Sequence, residues 1–245
     1  MRAPVFLLLF LGFCLSAWSQ QQQSTRGQFW FSAGVTRPLK YNLEANLNTN
    51  MRLNDYGQLT TLYQEISLKY GKLSWFKPSI EYRIVTNYDE RRNYENSHRL
   101  NFNADFRHKI NQFKFGARLR YQMYIGGFVT TGGDLDPSFR IKPYVEWVRS
   151  KKSKITPKLS TEFFYNPVFG PYGKRFNRIR YGASLDFNLP GSNELSLTYY
   201  FGQKFDAKNN YHEHILSLEY TFEWKKVKKK KKNDDELEED IEYPK

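Results

Sequence analysis

"HRLNFNADFRHKINQFKFGARLRYQMY", residues 98–124, holds six arginines and lysines and one aspartate in 27 positions, a composition that reads as soluble. Every second residue is nevertheless apolar: Leu100, Phe102, Ala104 and Phe106, then Phe113, Phe115, Ala117, Leu119, Tyr121 and Met123. Successive side chains of a strand point to opposite faces. The stretch therefore reads as two strands, each greasy on one side and polar on the other, joined by a tight turn at "INQ".

The same alternation continues in both directions, and no stretch between Gln20 and Trp224 keeps a helical period. It predicts eleven candidate strands, at 28–37, 39–53, 59–70, 73–86, 98–110, 112–124, 138–149, 155–166, 175–189, 193–204 and 211–224. Many are about twice the usual five or six residues. Long, evenly spaced strands suit a meandering barrel better than a sandwich. Single-chain bacterial barrels generally have an even strand number, so the expectation is 10–12 strands. Either 28–53 forms one bent strand, giving ten, or a strand is hidden, giving twelve. Pro78, Pro143 and Pro157 fall inside strand candidates and are expected at bulges or strand ends.

Alternation does not say which face is inside, because a soluble barrel binding an apolar ligand alternates too. The N-terminus helps. Arg2, a short apolar run and "AWSQ" read as a secretory signal peptide over 1–19, cleaved after Ser19. Cleavage would remove Cys14, the only cysteine, and with it any disulfide or thiolate chemistry. The strands are long enough to cross a bilayer at a tilt. Aromatics recur near strand ends, among them Phe29, Tyr41, Tyr70, Phe76, Phe139, Trp147, Tyr165, Tyr199 and Trp224, as membrane girdles require. Short connections also alternate with long ones, including "TNYDERRNYENSH" and "YIGGFVTTGGDLDPS". The fold class is thus expected to be all-β: an antiparallel up-and-down transmembrane barrel over 27–224, after a linker at 20–26.

Residues 63–85, "YQEISLKYGKLSWFKPSIEYRIV", carry a resemblance. With Phe29-Trp30, the Tyr63 and Glu65 strand, the turn after Tyr70, and Glu81-Tyr82-Arg83, the body resembles a gram-negative outer-membrane family catalogued as domain of unknown function 2490. The likeness implies an outer-membrane barrel and transfers no catalytic residue. Its expected surroundings are outer-membrane lipid and lipopolysaccharide, with the barrel assembly machinery as a partner during insertion. The tail is expected in the periplasm.

The chain carries a formal net charge of +13. Its tail, 225–245, holds seven lysines from Lys225 to Lys232 and then seven acidic residues from Asp234 to Glu242, a composition expected to be disordered. Without Arg2, this tail and Lys245, 29 basic residues face 18 acidic ones, so the basicity belongs to the body. Parity sends its charges to one polar face, the expected lumen. Glu44 and Arg52 come from the second strand, Glu65 and Lys69 from the third, and Glu81 and Arg83 from the fourth. Asp105 and Arg107 follow, then Arg118 and Arg120, then Arg140 and Glu146. The remaining strands add Glu162; Arg178, Arg180 and Asp186; and Glu219 and Glu223. These charges must pair with one another or meet water. They form a structural network or a narrow, net-basic passage favouring anions.

No catalytic residue, metal site or cofactor is expected. His98, His108, His212 and His214 all share the apolar parity, and Glu213 in "YHEH" points the other way. A barrel enzyme acting on lipid or envelope substrates stays open as an alternative, but no serine–histidine spacing singles itself out. Nucleic-acid binding is not expected: no recognised module appears, and export removes the usual partner.

Overall fold

Where apolar and polar residues alternate, the computed structural model forms strands; it describes residues 24–88, 94–124, 138–149, 153–167, 175–190, 193–205 and 210–224. The strands are β1 (Ser24–Pro38), β2 (Leu43–Asn54), β3 (Leu59–Tyr70), β4 (Phe76–Tyr88), β5 (Tyr94–Ile110) and β6 (Phe113–Tyr124). Then come β7 (Ser138–Trp147), β8 (Ile155–Asn166), β9 (Arg175–Asn188), β10 (Glu194–Lys204) and β11 (Tyr211–Glu223). The proposed signal peptide, the tail and several long connections lie outside the described residues. β1 begins before the expected linker ends, and Arg26 stacks its guanidinium over the Tyr211 ring of β11 at 4.2 Å.

Each strand pairs with its neighbours in sequence, and β1 meets β11 to close the barrel. This corrects the even strand number: the closed barrel has eleven strands. Ten consecutive seams are antiparallel, whereas the closing seam is parallel, from Ser24 opposite Tyr211 to Thr36 opposite Glu223. An odd meander must close this way, because its first and last strands run in the same direction. The single bent strand over 28–53 is also excluded. Tyr41 and Asn42 take left-handed conformations (φ 58° and 59°), and the Leu39 N–H donates to the Leu43 carbonyl across the turn. Such paired left-handed residues match the twist of a tight hairpin.

The prolines sit where the ladder tolerates them. Pro78 and Pro157 are each the third residue of their strand. Pro143 lies mid-strand, at a gap where β7–β8 pairing stops at Ile141 and resumes at Tyr144. A ring nitrogen without a hydrogen cannot donate across a ladder, so the gap falls there.

The apolar parity faces outward. Phe31, Leu47, Ile66, Ile80, Phe102, Leu119, Ile141, Leu159, Leu185 and Leu218 are all exposed on the outer surface. A barrel enclosing an apolar cavity is thereby removed. Rings gather toward both rims. Trp75, Phe76 and Phe106 touch near the turns after β3 and β5, while Tyr121 with Phe139 and Tyr165 with Phe176 touch near the opposite end. His214 accepts or shares a hydrogen from the Tyr199 hydroxyl at 2.6 Å and packs on Phe201, within this outer surface.

Two glycines let large rings lie flat against the wall. Gly116 stands opposite Tyr144 and Gly182 opposite Tyr200. A Cβ at Gly116 would sit 2.3 Å from Tyr144 Cζ, and one at Gly182 2.9 Å from Tyr200 Cδ1. A side chain at either position would occupy the space of the ring.

Candidate functional site

The inward parity builds a polar interior with two adjoining cavities. One, of about 360 Å³, reaches toward the turns after β1, β3 and β5; the other, of about 660 Å³, lies toward the opposite rim. We call these the turn-end and loop-end chambers. Trp30, Arg52, Tyr63, Arg83 and Arg180 line both, and so form the layer between them.

That layer alternates cations and rings. Arg83 lies over Tyr63 at 5.1 Å, and Arg52 lies over Tyr63 at 5.1 Å and Trp30 at 4.2 Å. Arg180 then lies over the other side of the chain of contacts, 5.0 Å from Trp30 and 5.7 Å from Tyr200. A guanidinium is weakly hydrated and stacks well on aromatic faces, so it tolerates this partly dry position. Carboxylates fix both flanks. Arg83 pairs with Glu65 and Glu81, and Arg180 pairs with Glu162 at 3.5 Å and Glu213 at 3.6 Å.

Glu81 is the busiest acid. Arg120 donates to it at 2.9 Å, and Asn103 and Asn101 donate through their amides at 2.8 and 3.3 Å. Arg120 reaches it from β6 across β5, a contact between strands that are not neighbours. Arg140 lies 3.9 Å from Glu162, while its other nitrogen donates to Gln122 at 2.8 Å. Closer to the turns, Lys69 pairs with Glu44 at 2.6 Å, and Arg107 grips Asp105 through two bonds of 2.7 and 3.1 Å. The Tyr144 hydroxyl donates to the same carboxylate at 2.9 Å. Glu146 binds Lys114 and, at 3.4 Å, Lys158.

Of the expected lumen charges, Glu44, Arg52, Glu65, Lys69, Glu81, Arg83, Asp105, Arg107, Arg118, Arg120, Arg140, Glu162, Arg180 and Glu219 line the turn-end chamber. Arg178 lines the loop-end chamber, 3.7 Å from Glu213. Asp186, Glu146 and Glu223 line neither. Asp186 instead accepts from Ser196 at 2.7 Å, and Glu223 ends β11 opposite Thr36.

Sequence reasoning missed two groups of residues. Lys77, Lys142 and Glu213 share the polar parity of their strands, and strict counting along each strand would have found them. Trp30, Tyr63 and Tyr200 are aromatic residues on that same parity. Their signal was an interruption of the pattern: a large ring where a polar residue is due.

Outward apolar residues around a charged interior define the class: a closed β-barrel with its polar face inside. Residues 27–230 match a family described as "Protein of unknown function (DUF2490)", and the chain belongs to that family. No curated protein matches it.

Proposed function

We propose that the protein is an integral outer-membrane barrel whose lumen is a narrow, anion-preferring passage, constricted midway by the arginine–aromatic layer. The apolar outer surface carries the reading. In water, a continuous apolar band around the whole circumference is a liability, whereas in lipid it is the favourable solvent-facing surface. Strands of 10 residues (β7) to 17 residues (β5) meet the roughly 9–11 needed for a tilted crossing. Aromatic rims at both ends suit the two interfaces. The surplus of basic groups around the turn-end chamber favours anions over cations.

The test is fractionation followed by planar-bilayer recording of the folded protein. The expected result is recovery in the outer membrane and a small, anion-selective conductance that rises in Trp30→Ala. Recovery in the soluble fraction would overturn the membrane reading. Silence in both wild type and Trp30→Ala would overturn the passage and leave a structural barrel, the second reading, which the stacked layer across the interior favours.

A further inference from the structure

The turn-end chamber holds three cations that make no ion pair within 4 Å among the described residues. Lys77, Asp105, Arg118 and Lys142 are direct cross-strand partners along β4, β5, β6 and β7. Arg118 and Lys142 therefore stand side by side with like charge, an arrangement that is destabilising unless something lies between them. Asp105 is the one acid in the row, and its oxygens already accept two bonds from Arg107 and one from Tyr144. The neighbouring acids are equally committed: Glu81 to Arg83 and Arg120, and Glu162 to Arg140 and Arg180. Among the described residues, no carboxylate lies within 4 Å of Lys77, Arg118 or Lys142. Glu219 also lines the chamber, from β11, and it too lacks an ion pair there. Three cations thus share a chamber whose acids are paired elsewhere or lie beyond ion-pair distance.

The gap in the β7–β8 ladder at Lys142 and Pro143 adds to this. On the β8 side Lys142 has no paired residue, while on the β6 side it stays in register with Arg118. Its side-chain nitrogen sits 5.6 Å from the Tyr200 ring, a weak partner.

We propose that this row is a binding site for a phosphate-class oxyanion inside the turn-end chamber. Arg118 offers the bidentate fork, Lys142 the adjacent point charge, and Lys77 the third cation toward the turns. A cavity of about 360 Å³ holds such an ion with part of its hydration shell. The inference names a ligand class for the proposed passage. It rests only on the interior, so it stands whether or not the barrel conducts.

The test uses the full folded chain in lipid-free, non-ionic detergent, titrated calorimetrically with inorganic phosphate against an equal ionic strength of chloride. Saturable phosphate binding is expected. Affinity should fall about tenfold or more in Arg118→Gln and in Lys142→Gln, and saturable binding should vanish in the double variant. Lys40→Gln, on the exposed turn after β1, should leave affinity unchanged. Arg118→Lys, which keeps the charge but loses the fork, should bind more weakly than wild type and more tightly than Arg118→Gln, a contrast that does not need the double variant to fold. Phosphate should also raise the thermal midpoint of wild type and not of Arg118→Gln. No saturable binding at millimolar phosphate, or equal affinity in Arg118→Gln and wild type, would overturn the site. Binding seen only after adding an anionic phospholipid would assign the chemistry to headgroups at the rim and overturn the chamber location. Because no membrane potential or conductance enters, failure here is separate from silence in the bilayer recording.

Discussion

Gly116→Ala is a change of one methyl group with a large expected effect. The new Cβ would stand 2.3 Å from Cζ, 2.4 Å from Oη and 2.7 Å from Cε1 of Tyr144. An ordinary carbon contact is ~3.5 Å, so the ring must retreat by roughly 1 Å. That retreat stretches the 2.9 Å bond from its hydroxyl to Asp105 beyond hydrogen-bond range. Overpacking of this kind costs about 1–3 kcal/mol, and losing a bond to a charged group about 1.5–3 kcal/mol. The sum is about 2.5–6 kcal/mol. Urea titration of the barrel refolded in lipid vesicles, followed by tryptophan fluorescence, gives the number. Tyr144→Phe isolates the hydroxyl share. In the double variant Gly116→Ala, Tyr144→Ala the clash partner is gone, so a coupling of about 1–3 kcal/mol is expected. Gly71→Ala is the reference, since its Cβ would lie an ordinary 3.6 Å from the Asn42 carbonyl oxygen. Additive effects, or a Gly116→Ala cost no larger than that of Gly71→Ala, would refute the ring-against-glycine reasoning.

Three further outcomes are expected. Leu119→Arg, on the outer face, should cost about 2–4 kcal/mol in vesicles and much less if the barrel is surrounded by water, which urea titration in each setting would reveal. Arg83→Gln strips Glu65 and Glu81 of a shared cation and should cost about 3–5 kcal/mol, whereas Arg118→Gln breaks no ion pair and should be neutral or stabilising in phosphate-free buffer. Cysteines introduced one at a time at Phe102 and Asn103 should separate the faces: a lipid-soluble reagent is expected to label position 102, where the side chain is exposed, and spare position 103, where it is buried.

Much of the barrel was legible because β-strand faces repeat every two residues. Phe102 to Phe106 and Phe113 to Leu119 mark their strands and their outer faces without reference to anything distant. Closure was not legible. The pairing of β1 with β11 joins residues nearly two hundred positions apart, and nothing local in "QFWFSAGV" says that its partner runs parallel. The expected long connection at 86–98 also shortened, because β4 runs on to Tyr88 and β5 starts at Tyr94. Within the interior, parity named most of the charges but not their partners. Arg120 answers to Glu81 two strands away, and the inward rings of Trp30 and Tyr63 line both chambers.

The odd number of strands gives the molecule a direction. Ser24 opens β1 at one rim, and Glu223 ends β11 at the other. In an even meander both chain ends leave through the same mouth, and a label on either reports on one side only. Here the wall itself separates them. Ser24 lies at the rim of the larger chamber and Glu223 at that of the smaller one. Set in a bilayer, the two ends of one polypeptide would look out on different compartments, so a pair of epitope tags on intact cells would orient the whole barrel in a single experiment.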